Sequence, residues 1–353
     1  MTSDVPRIEL SPGYSIARIV NGCWQLSPDH GGGPSSRQEA LSTFAELVEL
    51  GFTTFDCADI YVGVEETIGA FRRRLPDPDR IQVHTKLVPD RATLHRLRPQ
   101  DVDAAIERSR QRLGMDRLDL VQFHWWRYEV PGLRMVVDRL REAQARGRIR
   151  LLGTTNFDTA HVRAMLDDGA PIVSLQAQYS LLDRRPERHM TALSAERGVR
   201  LLPYGVLAGG FLSDRHLGSP DTPPDNRSLT KYRLIIDEAG GWPSFQGLLR
   251  TLSEIGARHG VSAAAVAARW VLDQPAVAAI ILGVGRRSRA RANLDLARLA
   301  LDDEDRAQLS ERLATLRIPP GDMYALERDP DGAHAGIIKT DLNAAASGGT
   351  SEG

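Results

Sequence analysis

The stretch Ile149–Gln178, IRLLGTTNFDTAHVRAMLDDGAPIVSLQAQ, contains one complete structural unit. Ile149–Thr155 is a near-continuous apolar run, as expected of a strand covered on both faces. Asp158 or Thr159 then caps Thr159–Leu166, whose apolar residues recur at helical spacing, and Ile172–Gln178 is a second apolar run. Strand, helix and strand in such short succession predict a βαβ unit with parallel strands.

The alternation continues in both directions. Further strands are expected at Ile19–Gly22, Thr53–Asp56, Ile81–Lys86, Leu118–His124, Arg200–Tyr204 and Ala279–Leu282. Helices are expected at Gln38–Leu50, Glu65–Phe71, Pro99–Leu113, Leu133–Ala145, Pro186–Glu196, Phe245–Gly260 with Ser262–Leu272, and Ser288–Leu296. Gly51 and Gly114 stand where helix-terminating glycines belong. Eight strand–helix units predict an α/β fold of the closed (β/α)₈ barrel type, a single domain over residues 8–316. An open doubly wound sheet would call for a phosphate fingerprint after an early strand. Gly31-Gly32-Gly33 runs into Pro34 and opens no such helix.

Two segments fall outside the repeat. Leu212–Trp242, after the seventh strand, is polar and turn-rich, with a short helix expected at Tyr232–Ile236 and Gly240-Gly241 as a hinge. The second begins after a last helix at Asp303–Leu316. It is a C-terminal tail, residues 317–353, expected to be partly flexible and to end in the Ala-, Ser- and Gly-rich run Ala344–Gly353.

The balance of 45 basic against 46 acidic side chains excludes a strongly basic nucleic-acid binder. With 42% hydrophobic and 26% charged residues the chain has ordinary globular usage. Two cysteines, Cys23 and Cys57, are too few for a disulfide framework or a tetrathiolate zinc site. No apolar run is long enough to span a bilayer, and Met1–Leu10 has no signal-peptide core. The expectation is a cytoplasmic protein with no membrane or nucleic-acid partner, self-association being left open.

A barrel of this kind carries its chemistry at the C-terminal ends of its strands. Asp56, Lys86, His124, Thr155, Asn156, Gln176, Gln178 and Tyr204 fall at such ends, with Tyr61 just beyond Asp56. Singly, each has a structural reading: Asp56 a turn former, Tyr61 a half-buried aromatic, Lys86 a solvated strand end, His124 a core histidine. A tyrosine, a lysine, a histidine and a carboxylate on successive strand mouths form a set suited to proton-coupled carbonyl chemistry.

The segment Phe55-Asp56-Cys57-Ala58-Asp59-Ile60-Tyr61, followed by Glu65-Glu66, resembles the Asp-x-Ala-x-x-Tyr signature of the aldo-keto reductase family. His84-Thr85-Lys86, Asp119 to His124, Gly153-Thr154-Thr155-Asn156-Phe157, Gln176 to Arg184, and Ile281-Leu282-Gly283 with Asn293 resemble further motifs of that family in the same order. The resemblance implies a (β/α)₈ barrel that binds NADPH/NADP⁺ without a Rossmann domain and reduces a small-molecule aldehyde or ketone. It makes Tyr61 the general acid, Lys86 and Asp56 its tuning pair, and His124 the group that orients the carbonyl oxygen. Thr155, Asn156 and Gln176 would bind the nicotinamide carboxamide, and Tyr204 would stack on its ring. The backbone near Leu207 and Gly209 would face the pyrophosphate. Gly283 belongs to the last cofactor loop, and Arg286, Arg289 and Asn293 would hold the adenosine end.

The physical chemistry agrees with those roles. A phenol titrates near ~10, and an ammonium ~4 Å away would lower that by about three units before desolvation. This predicts a Tyr61 brought near the neutral range, with Asp56 holding Lys86 charged. A neutral His124 would hydrogen-bond the carbonyl oxygen.

Departures from the family pattern are Val62 for a common glycine, Thr155 for serine, Gly283 where some members carry a lysine, and Ala292 for an acidic residue. Arg286-Arg287-Ser288-Arg289 with Arg291 reads as a solvated helix start or as a 2′-phosphate site, which favours NADPH. Trp24 and Trp125, if they face the mouth, would make an aromatic pocket for a flat or apolar carbonyl compound. The alternative function is a nicotinamide-binding regulatory subunit resembling the potassium-channel β subunits, with little turnover. A metal-dependent barrel hydrolase would need more ligands than His124 and Asp56.

Overall fold

The computed structural model describes residues 5–27, 36–224, 226–285 and 289–343. The chain opens with an antiparallel hairpin, β1 (Arg7–Ser11) and β2 (Tyr14–Ala17), turning at Gly13 with φ +70°. Then follow β3 (Ile19–Gly22), α1 (Arg37–Glu49), β4 (Thr54–Asp56), α2 (Val64–Arg72), β5 (Gln82–Leu87), α3 (Pro99–Leu113), β6 (Leu118–Phe123), α4 (Leu133–Ala145), β7 (Ile149–Thr155), α5 (Thr159–Asp167), β8 (Ile172–Gln176), α6 (Met190–Arg197) and β9 (Arg200–Leu201). The C-terminal part adds α7 (Arg227–Glu238), α8 (Gly241–His259), α9 (Ala263–Leu272), β10 (Ile280–Gly283), α10 (Ala290–Arg298), α11 (Asp303–Ala314) and α12 (Ala325–Arg328).

Eight parallel strands pair in the order β10-β3-β4-β5-β6-β7-β8-β9. The ring is completed where the chain entering β10 meets β9. Leu201 bridges Val277, Ala278 N donates to Leu201 O at 3.0 Å, and Ile281 N donates to Pro203 O at 2.8 Å. The architecture is the expected (β/α)₈ barrel. β9 is shorter than the apolar run suggested because Pro203 has no N–H to give a ladder. Beyond it, Gln178 and Tyr204 meet only as an isolated bridge.

Helix starts follow their caps. Ser36, Asp158 and Ser262 accept from the backbone of Glu39, His161 and Ala265, so Asp158 rather than Thr159 caps α5. α3 has a proline in its first turn and the left-handed Gly114 at its end. Pro186 lies within a single 3₁₀ turn, Arg185–Glu187, and α6 begins only at Met190.

The N-terminal hairpin is absent from the sequence expectations. Leu10, Tyr14 and Ile16 pack with Val20, Leu120, Leu151 and Leu202 inside the barrel. The hairpin therefore stoppers the end away from the candidate residues. At the other end, residues 212–242 contain α7, a longer helix than the one expected at 232–236. The tail as far as residue 343 folds back on the barrel. Asn343 Nδ2 donates to Val88 O at 2.7 Å, and Arg91 N donates to Thr340 O at 3.1 Å. Residues 344–353 and Arg286 lie outside the described residues. No described helix is long and apolar enough to cross a membrane.

Candidate active site

Asp56 ends β4 and Lys86 lies one residue before the end of β5; each side chain is about 5% exposed. Lys86 Nζ donates to Asp56 Oδ2 at 2.6 Å and to Cys57 O at 2.7 Å. The other carboxylate oxygen, Oδ1, accepts from Gln122 Nε2 at 3.0 Å and Gln176 Nε2 at 2.7 Å. One carboxylate thus gathers side chains from β5, β6 and β8. Burial opposes the charge on Lys86, but Asp56 and then Tyr61 raise its pKa above the ordinary lysine value.

Tyr61 follows on a tight turn. Its N–H donates to Ala58 O, and Val64 N donates back to Tyr61 O, with the left-handed Gly63 (φ +75°) leading into α2. Asp59 ties the turn down by accepting from Val88 N at 3.2 Å. Lys86 Nζ lies 5.1 Å from the Tyr61 ring centroid. Burial pushes the phenol up to about 12; Lys86 pulls against it and Asp56 pushes further. This corrects the expectation of a phenol titrating near neutrality. The ammonium stands 2.6 Å from a carboxylate that cancels much of its field at the ring. Tyr61 stays protonated throughout the neutral range.

His124 directly follows β6 and is 2% exposed. Its Nδ1 lies 2.9 Å from Thr155 O. A carbonyl only accepts, so the ring proton sits on Nδ1. Burial lowers the pKa to about 3, Arg328 adds to this, and Thr155 O opposes it. The imidazole is therefore neutral, and its buried Nε2 offers a lone pair with no partner among the described residues. In this tautomer Nε2 accepts hydrogen bonds, so the expected donation from it to a carbonyl oxygen is revised.

The aromatic wall beside His124 comes from residues the sequence reading did not choose. Trp126 stands edge-on to the imidazole at 4.3 Å and Tyr324, from the tail, at 5.6 Å. Trp125 is fully buried in the core beside Phe123, its Nε1 donating to Val130 O at 3.3 Å. Trp24 is half-buried at the start of a single 3₁₀ turn after β3.

A polar chain leads from the strand mouths to the tail. Thr155 and Gln176 are buried, and Asn156 has left-handed backbone (φ +60°), which asparagine tolerates. Tyr204 OH donates to Asn156 Oδ1 at 2.9 Å and accepts from Lys231 Nζ, on α7, at 3.3 Å. Lys231 lies 3.8 Å from Glu327 on α12, and Glu327 pairs with Arg185 at 3.0 Å. Arg185 also pairs with Asp183 at 2.7 Å. Lys231, Arg185 and Glu327 escaped the sequence reading.

The expected dinucleotide residues separate into two places. Leu207 and Gly209 lie in the loop after β9, beneath α7. A Cβ at Gly205 or Gly209 would come within 2.8 or 2.5 Å of the Tyr232 side chain, and both glycines have positive φ. Gly283, Arg289 and Asn293 line a small cavity with Val284 and Gly285 at the end of β10. There a Cβ on Gly283 would strike Gln25 Nε2 at 2.4 Å.

Burial opposes ionisation of Glu327, but Arg185 and Lys231 hold its carboxyl down at about 2, against an ordinary 4.5. Because the folded value is depressed, this stabilisation is fully present above pH 4.5 and is lost as pH falls toward 2. Glu327→Gln should cost ~3–5 kcal/mol near neutral pH, since it leaves Arg185 under-compensated, and should flatten the acid limb of the stability profile. Urea denaturation across that range checks this; equal acid limbs for the two proteins would contradict it.

Comparison with known proteins bears on the same residues. A sequence model described as the Aldo/keto reductase family matches residues 18–314. The NADH-specific methylglyoxal reductase of Escherichia coli is 26% identical over 332 residues, covering 86% of this chain and 96% of the relative. The aldo-keto reductase YhdN of Bacillus subtilis is 25% identical over 323 residues, covering 88% and 94%. Among solved structures, a thermostable aldo-keto reductase in complex with the inhibitor epalrestat superposes with a TM-score of 0.69 at 26% identity, covering 87% of this chain and 99% of that one. The chain belongs to the aldo/keto reductase family.

Proposed function

We propose that this protein reduces an aldehyde or ketone to an alcohol, with Tyr61 as proton donor and NADPH as cofactor. The observation that carries the reading is the buried Asp56–Lys86 ion pair set against a protonated Tyr61, beside a neutral His124 whose Nε2 is open. Membership of a family of nicotinamide-dependent oxidoreductases supports it.

The residues present suit a nicotinamide dinucleotide at both ends. Asn156, Thr155 and Gln176 would hold the carboxamide next to Tyr204, and the cavity of Gly283, Arg289 and Asn293 would take the adenosine end. When bound, the reduced cofactor supplies a hydride to the carbonyl carbon. As negative charge grows on the carbonyl oxygen, Tyr61 delivers its phenolic proton there. Lys86 stabilises the phenolate left behind, and Asp56 keeps the ammonium charged and in place. His124 Nε2 accepts from the new hydroxyl and holds the product oxygen in line.

The arginines at 286, 289 and 291 favour NADPH, because a guanidinium fork suits a 2′-phosphate. The relative named as NADH-specific makes NADH the cofactor to test beside it. The regulatory-subunit alternative would draw support from an exposed apolar docking face. Among the described residues the exposed large hydrophobics are Val62 and Leu217, too few for such a face.

Tyr61→Phe should lower carbonyl reduction by at least ~10²–10⁴-fold while cofactor binding, read by fluorescence, is retained. A panel of simple aldehydes with NADPH and with NADH, followed by near-ultraviolet absorbance, gives the rate and the cofactor preference together. Most of the activity surviving in Tyr61→Phe would remove the residue from its role. Equal use of the two cofactors would remove the 2′-phosphate assignment.

Tyr232 lies on the glycine backbone that the family resemblance gives to the pyrophosphate, so cofactor entry requires α7 to move aside. Gly240, between α7 and α8, and Gly241, the first residue of α8, have φ of +128° and +80° and stand where a hinge is needed. Saturating NADPH should therefore change limited proteolysis within residues 212–242. An unchanged cleavage pattern would make this segment a static cover.

A further inference from the structure

Arg328, the last residue of α12, is fixed from two sides beside His124. Its Nη2 donates to Trp125 O at 2.8 Å and its Nε to Trp126 O at 3.2 Å. Those carbonyls belong to the two residues immediately after His124. The guanidinium carbon lies 4.2 Å from the Tyr128 ring centroid and 5.2 Å from that of Tyr324, the tail residue whose ring stands against His124.

What this guanidinium lacks is an anion. No carboxylate lies within ion-pair distance of it among the described residues. Its sequence neighbour Glu327 is committed to Arg185 and Lys231. Asp158, near Tyr128, is taken by His161 at 2.7 Å. Nη1 is buried and has no hydrogen-bond partner among the described residues. The tyrosine faces attract a cation but do not accept its in-plane N–H groups, and a buried guanidinium nitrogen ordinarily finds an oxygen. Lys231, the other cation next to Tyr324, has both a carboxylate and a phenol oxygen. Arg328 is therefore the uncompensated positive charge on this wall, and it is close enough to His124 to disfavour the imidazolium.

We propose that Arg328 is a specificity-determining residue: its free fork face takes a carboxylate carried by the substrate, so that the site selects carbonyl compounds bearing a second, anionic group. This rests on the carbonyl-reductase reading above. A rigid aromatic spacer between carbonyl and carboxylate fits surroundings lined by the rings of Trp126, Tyr324 and Tyr128 better than a flexible polyol.

The test uses two probe pairs of matched shape. In turnover, 4-formylbenzoate is compared with 4-formylbenzamide, in the full chain and in Arg328→Gln, which retains a donor for the tryptophan carbonyls and removes the charge. In binding, benzoate is compared with benzamide by calorimetry on the same proteins, a readout that needs no reaction. The natural chain should prefer formylbenzoate over formylbenzamide in kcat/KM by roughly tenfold or more, the scale of a charge-assisted hydrogen bond, and Arg328→Gln should lose that preference. Benzoate affinity should fall by a similar factor while benzamide is little changed. Arg328-dependent benzoate binding without turnover of either aldehyde would uphold the anion subsite and overturn the carbonyl-reductase reading. Equal handling of each pair by the natural chain, or the same preference in Arg328→Gln, would make Arg328 a staple for the tail and overturn the proposal.

Discussion

The contact between Lys86 and Asp56 is the constraint around which the upper barrel is arranged. Two opposite charges about 95% removed from solvent need each other, because either one alone would carry a desolvation penalty of several kcal/mol. Asp56 uses its remaining oxygen to draw in Gln122 and Gln176, so donors from three other strands converge on one carboxylate. That convergence fixes the ends of β4, β5, β6 and β8 relative to one another. It also places the ammonium beside Tyr61. The near-cancellation of the pair's field keeps Tyr61 a phenol, the state that the proposed role of proton donor requires.

Much of this was legible in the chain because local signals and global fold agree. Ile19–Gly22, Ile149–Thr155, Pro99–Leu113 and Leu133–Ala145 fall where the apolar spacing puts them, and a proline start with a glycine stop bounds the third helix. Asp56, Lys86, Thr155 and Gln176 could be placed at strand ends by the same reading. Gln122 was within reach as well, since residues two apart on a strand share a face and His124 lies two positions on. Trp125 and Trp126 were not separable. The chain leaves the strand after Phe123, and parity no longer tells which neighbour turns to the mouth. The phenol's ionisation was misjudged for a different reason. An ammonium–phenol distance gives an attraction, but the opposing terms, burial and a carboxylate on the same ammonium, depend on packing from several segments.

The parts that stayed hidden are held by contacts distant in sequence. The hairpin at residues 7–17 is short and half-polar, and its apolar side becomes meaningful only against Leu120, Leu151 and Leu202. α12 is four residues long and carries no periodic signal. Yet Tyr324, Glu327 and Arg328 reach His124, Arg185 and the tryptophan carbonyls. Through Lys231 the same tail residue Glu327 is linked to α7, which lies on Gly205 and Gly209. The barrel thus supplies the proposed acid and its support, while two segments outside the barrel repeat pack against them. This division suits a fold that keeps its chemistry constant and varies its loops.

Burial and Asp56 outweigh the pull of Lys86, and this balance leaves Tyr61 protonated, as the proposed acid must be. Its most direct test is an NMR titration of the protein carrying tyrosine labelled with carbon-13 at Cζ, the Tyr61 resonance assigned by its loss in Tyr61→Phe. The structure predicts no phenolate shift at Tyr61 up to and through pH 10, the ordinary tyrosine value, with ionisation only toward about 12. A Tyr61 midpoint below 10 would contradict it and restore a lysine-lowered phenol.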